Sequence, residues 1–97
     1  MKTPTVKISK HDGGNGIVNF YLNKYASEMF DSKEIVIDKV NLRIRYATID
    51  DRKTYKIASN NHDTKVFSVK MPSADEILGT YEIEDEGKYF QLYKIEL

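Results

Sequence analysis

The sequence contains no cysteine and no tryptophan. Without cysteine there is neither a disulfide framework nor a zinc-thiolate site. Net charge is also missing, since fifteen Lys and Arg are matched by fifteen Asp and Glu. A generic polyanion binder would be basic overall, so that class is disfavoured. No apolar run approaches the roughly 20 residues a membrane-spanning helix needs, and no membrane partner is expected. Met1-Lys2-Thr3-Pro4-Thr5 leads into polar residues without an apolar signal core, so a cytoplasmic protein is the expectation. Only four Ala and five Leu occur, too few for a helical bundle.

What is present points to strands. Ten Ile and seven Tyr suit a pleated, half-buried surface. With 97 residues the chain is expected to form one domain, 1–97. The alternation of Val40, Leu42, Ile44 and Tyr46 with Asn41, Arg43, Arg45 and Ala47 is the clearest period of two. Further strands are predicted over 5–10, 17–22, 34–37, 54–59, 65–71, 81–84 and 88–96, separated by turn-forming residues. Two short helices are predicted. One runs from Asn23, whose side chain can cap it, to Phe30; the other covers Ser73 to Leu78. The expected fold is therefore α+β and strand-rich, a small twisted sheet or barrel built from two β-α-β-β-like units. The order of elements allows a pseudo-repeat of 5–58 and 59–97.

Catalytic motifs are scarce. Gly13-Gly14-Asn15-Gly16 lacks the Lys-Ser/Thr of a phosphate-binding loop and reads as a flexible hairpin tip. His11-Asp12 and His62-Asp63 could supply metal ligands or an oriented base, but His-Asp pairs in loops are ordinary turn chemistry. No enzyme, catalytic residue, metal or cofactor is expected.

Charge is distributed unevenly. Residues 1–57 hold eleven Lys/Arg against seven Asp/Glu, a balance of +4, and residues 58–97 hold four against eight, a balance of −4. On the basic side Lys7, Lys10, Asn15, Asn19, Arg43, Arg45, Arg52 and Lys53 are candidates for contacts to phosphates or base edges. On the acidic side Glu82, Glu84, Asp85, Glu86 and Asp75-Glu76 interleave with Tyr81, Tyr89 and Tyr93, a surface suited to a basic protein partner.

Val6-Lys7-Ile8-Ser9-Lys10, Gly16 to Leu22, and Asp31 to Ile37 with Val40 to Ile44 resemble the swapped-hairpin barrel of AbrB-type transition-state regulators. Val69 to Pro72, Ile77-Leu78-Gly79, Tyr81 to Ile83 and Tyr89 to Leu92 look like a second copy, as in the tandem MraZ arrangement. The sequence departs from that family at Ile17, where the family has Arg after the turn glycine. The resemblance implies a DNA-binding transcriptional regulator that uses the basic residues of its first hairpin, either as a homodimer or, when doubled, as a pseudo-dimer. The alternative expectation is a small interaction or inhibitor protein that uses the acidic, Tyr-rich C-terminal hairpin, even on a partner that itself binds nucleic acid.

Overall fold

A computed structural model of the chain describes residues 3–10, 16–30, 34–59, 63–71 and 77–95. Its elements in order are β1 (Thr5–Lys10), β2 (Ile17–Leu22), α1 (Lys24–Glu28), β3 (Glu34–Asp38), β4 (Arg43–Tyr46), β5 (Tyr55–Lys56), β6 (Ala58–Ser59), β7 (Lys65–Lys70), β8 (Gly79–Asp85) and β9 (Phe90–Lys94). All nine strands belong to one sheet in the order β5-β3-β4-β9-β8-β1-β2-β7-β6, and every pairing is antiparallel.

The two end strands, β5 and β6, are separated in the chain only by Ile57. Tyr55 and Lys56 pair with Ile35 and Glu34, whereas Ala58 and Ser59 pair with Val66 and Lys65. One short segment thus changes partners at Ile57 and brings the sheet round into a nearly closed barrel. Closure disposes of sheet edges that would otherwise invite pairing with other chains.

This overturns the α+β expectation. Among the described residues there is a single helix, five residues long, and the sheet is the whole architecture. Most of the second expected helix, 73–78, falls outside the described residues; Ile77 and Leu78 lead directly into β8. Nor do two β-α-β-β units stand side by side. The β8–β9 hairpin inserts between β4 and β1, so the strands of the two halves interleave. The physical reason is that a small unit of strands cannot bury its own apolar face, and interleaving gives every strand except the short β5 and β6 two neighbours.

The expected strand from Val40 starts late. Asp38 Oδ1 accepts from the backbone N–H groups of Val40 and Asn41 at 3.0 and 3.1 Å, and its Oδ2 accepts from the Asn41 side chain at 2.9 Å. This side-chain-capped turn competes with the ladder. Leu42 takes a left-handed conformation (φ 51°), and Val40 is left 90% exposed. Only from Arg43 does the alternation hold.

Inward residues alternate along the strands: Val6 and Ile8, then Val18, Phe20 and Leu22, then Phe67 and Val69, then Tyr81 and Ile83, then Phe90 and Leu92. Phe20 and Phe67, directly paired across β2 and β7, stack with ring centroids 4.8 Å apart. A barrel of this strand number has an interior that side chains can fill, so it is a packed core rather than a channel.

Helix α1 packs across one end. Asn23 caps it by accepting from Ala26 N–H at 2.8 Å, and the same oxygen accepts from Thr5 N–H at 3.1 Å. The Asn23 amide donates to Thr3 O at 2.9 Å. Ala26 and Ser27 are buried, and the Ser27 hydroxyl donates to Leu22 O while accepting from Lys65 N–H. Phe30 follows into the core against Phe90, at 4.3 Å between centroids.

Candidate functional site

The strand order decides which charges share a surface. Lys7 is exposed on β1, between Tyr21 of β2 and Thr80 of β8, and Lys10 is exposed at the end of the same strand. Arg43 and Arg45 lie on β4, and Arg52 and Lys53 are exposed in the loop that follows it. Between β1 and β4 stand β8 and β9. The two basic groups that looked contiguous in the sequence are therefore divided by the acidic hairpin.

Asn19 does not offer an outward contact. It is 7% exposed, its amide donates to the Tyr21 hydroxyl at 3.0 Å, and its carbonyl accepts from the Ser68 hydroxyl at 2.6 Å. Burial of a polar side chain is tolerable here because it is hydrogen-bonded. Asn15 lies outside the described residues, as do His11, Asp12 and His62. Among the described residues no three His, Asp or Glu side chains gather in a manner that could hold a metal ion.

Arg45 is committed within the chain. Its Nη1 and Nη2 donate to the two carboxylate oxygens of Asp51 at 2.9 and 2.8 Å. Asp51 also accepts from Thr48 N–H at 2.6 Å. The Arg45 guanidinium and the Thr48 amide hold the Asp51 carboxyl well below the usual carboxylate range. The Arg45 charge is correspondingly offset for any external anion.

Arg43 is arranged differently. The β4–β9 register sets it opposite Gln91, whose Oε1 accepts from Arg43 Nε at 2.8 Å. Its guanidinium carbon lies 4.4 Å from the centre of the Tyr89 ring. A cavity of about 310 Å³ opens beside it, lined by Val36, Ile37, Asp38, Arg43, Arg45 and Tyr89. A second cavity, about 210 Å³, lies near the end of α1 and includes Glu28, Ser59, Asp63 and Thr64.

The acidic hairpin is the other surface. Glu82, Glu84, Asp85 and Glu86 are all exposed. Glu82 stands opposite Tyr93, and Glu84 opposite Gln91. The Tyr93 hydroxyl, on a side chain 45% exposed, donates to Glu86 at 3.1 Å. The neighbouring Glu86 carboxylate raises the Tyr93 phenol above its ordinary pKa. The turn closes through Glu86 N–H to Tyr89 O and Gly87 N–H to Asp85 Oδ1. Gly87 has φ of 93° with open space around it, so conformation rather than room calls for glycine.

Of the tyrosines expected on this surface, Tyr81 is buried at 2% exposure and donates to Ile77 O at 2.8 Å. It belongs to the core, because strand alternation turns it inward when Glu82 and Glu84 face out. Tyr89 is half-buried under Arg43. Gln91, Asp38 and Asp51 are the side chains that sequence reasoning left out of the candidate sites. The period of two along β9 already put Tyr89, Gln91 and Tyr93 on one face, but only the register brings Arg43 and Glu82 to them.

No family model, curated protein or solved structure matches the chain. No helix among the described residues is long and apolar enough to cross a membrane.

Proposed function

We propose that the chain is a non-catalytic protein-binding domain whose β8–β9 hairpin presents Glu82, Glu84, Asp85, Glu86 and Tyr93 to a basic segment of a partner protein. The observation that carries this reading is the interposition of that hairpin between β1 and β4. A nucleic-acid duplex contacting Lys7 and Arg43 together would lie over exposed carboxylates. Repulsion there opposes the phosphate neutralisation on which such binding depends. A basic peptide meets the opposite situation: several carboxylates on one face, with Tyr93 offering apolar area at small entropic cost. The regulator implied by the AbrB resemblance is the weaker reading, because Asn19 is buried and Arg45 is engaged by Asp51.

The test is fluorescence anisotropy of the full chain with a labelled peptide of alternating Lys and Arg, and separately with random-sequence duplex DNA. Each is titrated at about 50 and 200 mM salt, where exposed charge pairs are screened to different extents. The expected result is saturable peptide binding that weakens with salt and is lost in Glu82→Lys/Glu84→Lys, with no comparable DNA binding. Salt-steep DNA binding by the unaltered chain, or peptide binding indifferent to the charge reversal, would overturn the proposal.

A further inference from the structure

Arg43 has a free, oriented hydrogen-bonding fork. Alternation along β4 turns it outward, and the register with β9 supplies both of its supports, Gln91 at Nε and the Tyr89 ring beneath the guanidinium. Nη1 and Nη2 have no hydrogen-bond partner among the described residues. A guanidinium held flat at Nε, with both terminal nitrogens open, matches the two oxygens of a carboxylate. The ordering that usually opposes such a contact has already been imposed by the fold.

The acid best placed to fill the fork does not do so. Asp38 is the cross-strand partner of Arg43, yet its two oxygens accept from Val40, Asn41 and the Asn41 side chain in the β3–β4 turn. Arg45, the other cation on the cavity wall, is bound by Asp51. Arg43 is thus the guanidinium on the cavity wall without a carboxylate bound to it, while Val36, Ile37 and the Tyr89 ring provide apolar lining. A volume near 310 Å³ is at the small end of ligand sites.

We propose that this cavity binds a small monocarboxylate with an apolar body, its carboxylate seated on Nη1 and Nη2 of Arg43 and its apolar part against Val36, Ile37 and Tyr89. Asp38 sets the charge preference. Its hydrogen bonds within the turn keep it ionised, so an entering dianion meets stronger repulsion than a monoanion. Carboxylate is therefore selected over phosphate. The site adjoins the hairpin proposed for protein binding, since Glu84 stands opposite Gln91 on β9, but its test reads a small monocarboxylate on Arg43 and does not depend on that reading.

The experiment is NMR titration of the full chain with benzoate, and separately with inorganic phosphate, following Arg43 Nε–H, the Gln91 side-chain amide and the backbone of 36–38 and 89. Benzoate is expected to shift these signals saturably, and phosphate to bind more weakly. Arg43→Lys keeps the charge but loses the fork, and should weaken benzoate binding by about tenfold. Tyr89→Leu removes the platform under the guanidinium and should weaken it about threefold, giving a second reading if the first variant folds poorly. Asp38→Asn should narrow the preference for benzoate over phosphate. Shifts that do not saturate, an Arg43→Lys variant that binds as the unaltered chain does, or phosphate binding as tight as benzoate would each overturn the proposal.

Discussion

Arg45 closes on Asp51 through two hydrogen bonds of 2.9 and 2.8 Å, joining β4 to the loop that follows it. Asp51 has its carboxyl pKa lowered by this pair and by Thr48. A group whose folded pKa is depressed adds stability above its unfolded value, near 3.9 for Asp, and loses that contribution as pH falls through the folded value. Asp51→Asn is therefore expected to melt below the unaltered chain at neutral pH. The difference should shrink as pH falls below about 4. Thermal unfolding of both proteins across this range, followed by circular dichroism, checks it; a gap that stays constant would mean that ionisation of Asp51 is not what stabilises the loop.

Asn23 serves helix and sheet together. Its oxygen accepts from Ala26 and Thr5, and its amide donates to Thr3 O. Asn23→Ala removes all three contacts and should cost roughly 1–3 kcal/mol by urea unfolding. Asn23→Asp keeps the acceptor oxygens and loses only the donation, so its loss should be smaller. Equal losses would show that the cap contributes little.

The stacked pair Phe20 and Phe67 is buried at the β2–β7 junction. Truncating either to Ala should destabilise the chain by roughly 3–5 kcal/mol, through lost transfer energy and the cavity left behind. A double-mutant cycle should report a coupling of roughly 0.5–1.5 kcal/mol, the contribution of ring geometry beyond area. Additive losses would indicate area burial alone.

Barrel closure rests on two residue pairs on each side of Ile57. Proline cannot donate to a ladder, so Ala58→Pro should release β6 from β7. Hydrogen exchange is expected to quicken at 65–66 while β1 and β8 keep their protection, because those strands retain both neighbours. Faster exchange in β1 as well would mean that the barrel opens as one cooperative unit.

Much of the candidate surface could be read from alternation along single strands. Glu82 and Glu84 outward require Tyr81 and Ile83 inward, and the burial agrees. Val40 shows how that reading fails: it has the right period, but the Asp38 side chain offers the backbone a turn that wins over the ladder. The helix expected over 23–30 is shorter, Lys24–Glu28, but its place and its Asn23 cap were legible because the signal is local, a capping Asn followed by apolar residues on one side. Tyr81 stood among the candidates on that surface, yet the alternation that turns Glu82 and Glu84 outward buries it.

The amino-acid sequence by itself determined the strand-rich character, the inward and outward faces of β8 and the cap of α1. These follow from interactions among residues a few positions apart. Only the tertiary structure decided that β8 and β9 stand between β1 and β4, that Gln91 and Tyr89 hold Arg43, and that residues 55–59 close the barrel. Those relationships join residues far apart in the chain, 48 positions for Arg43 with Gln91 and 77 for Thr5 with Glu82. Which strand pairs with which depends on how all of them together bury one core, and no local pattern encodes that choice.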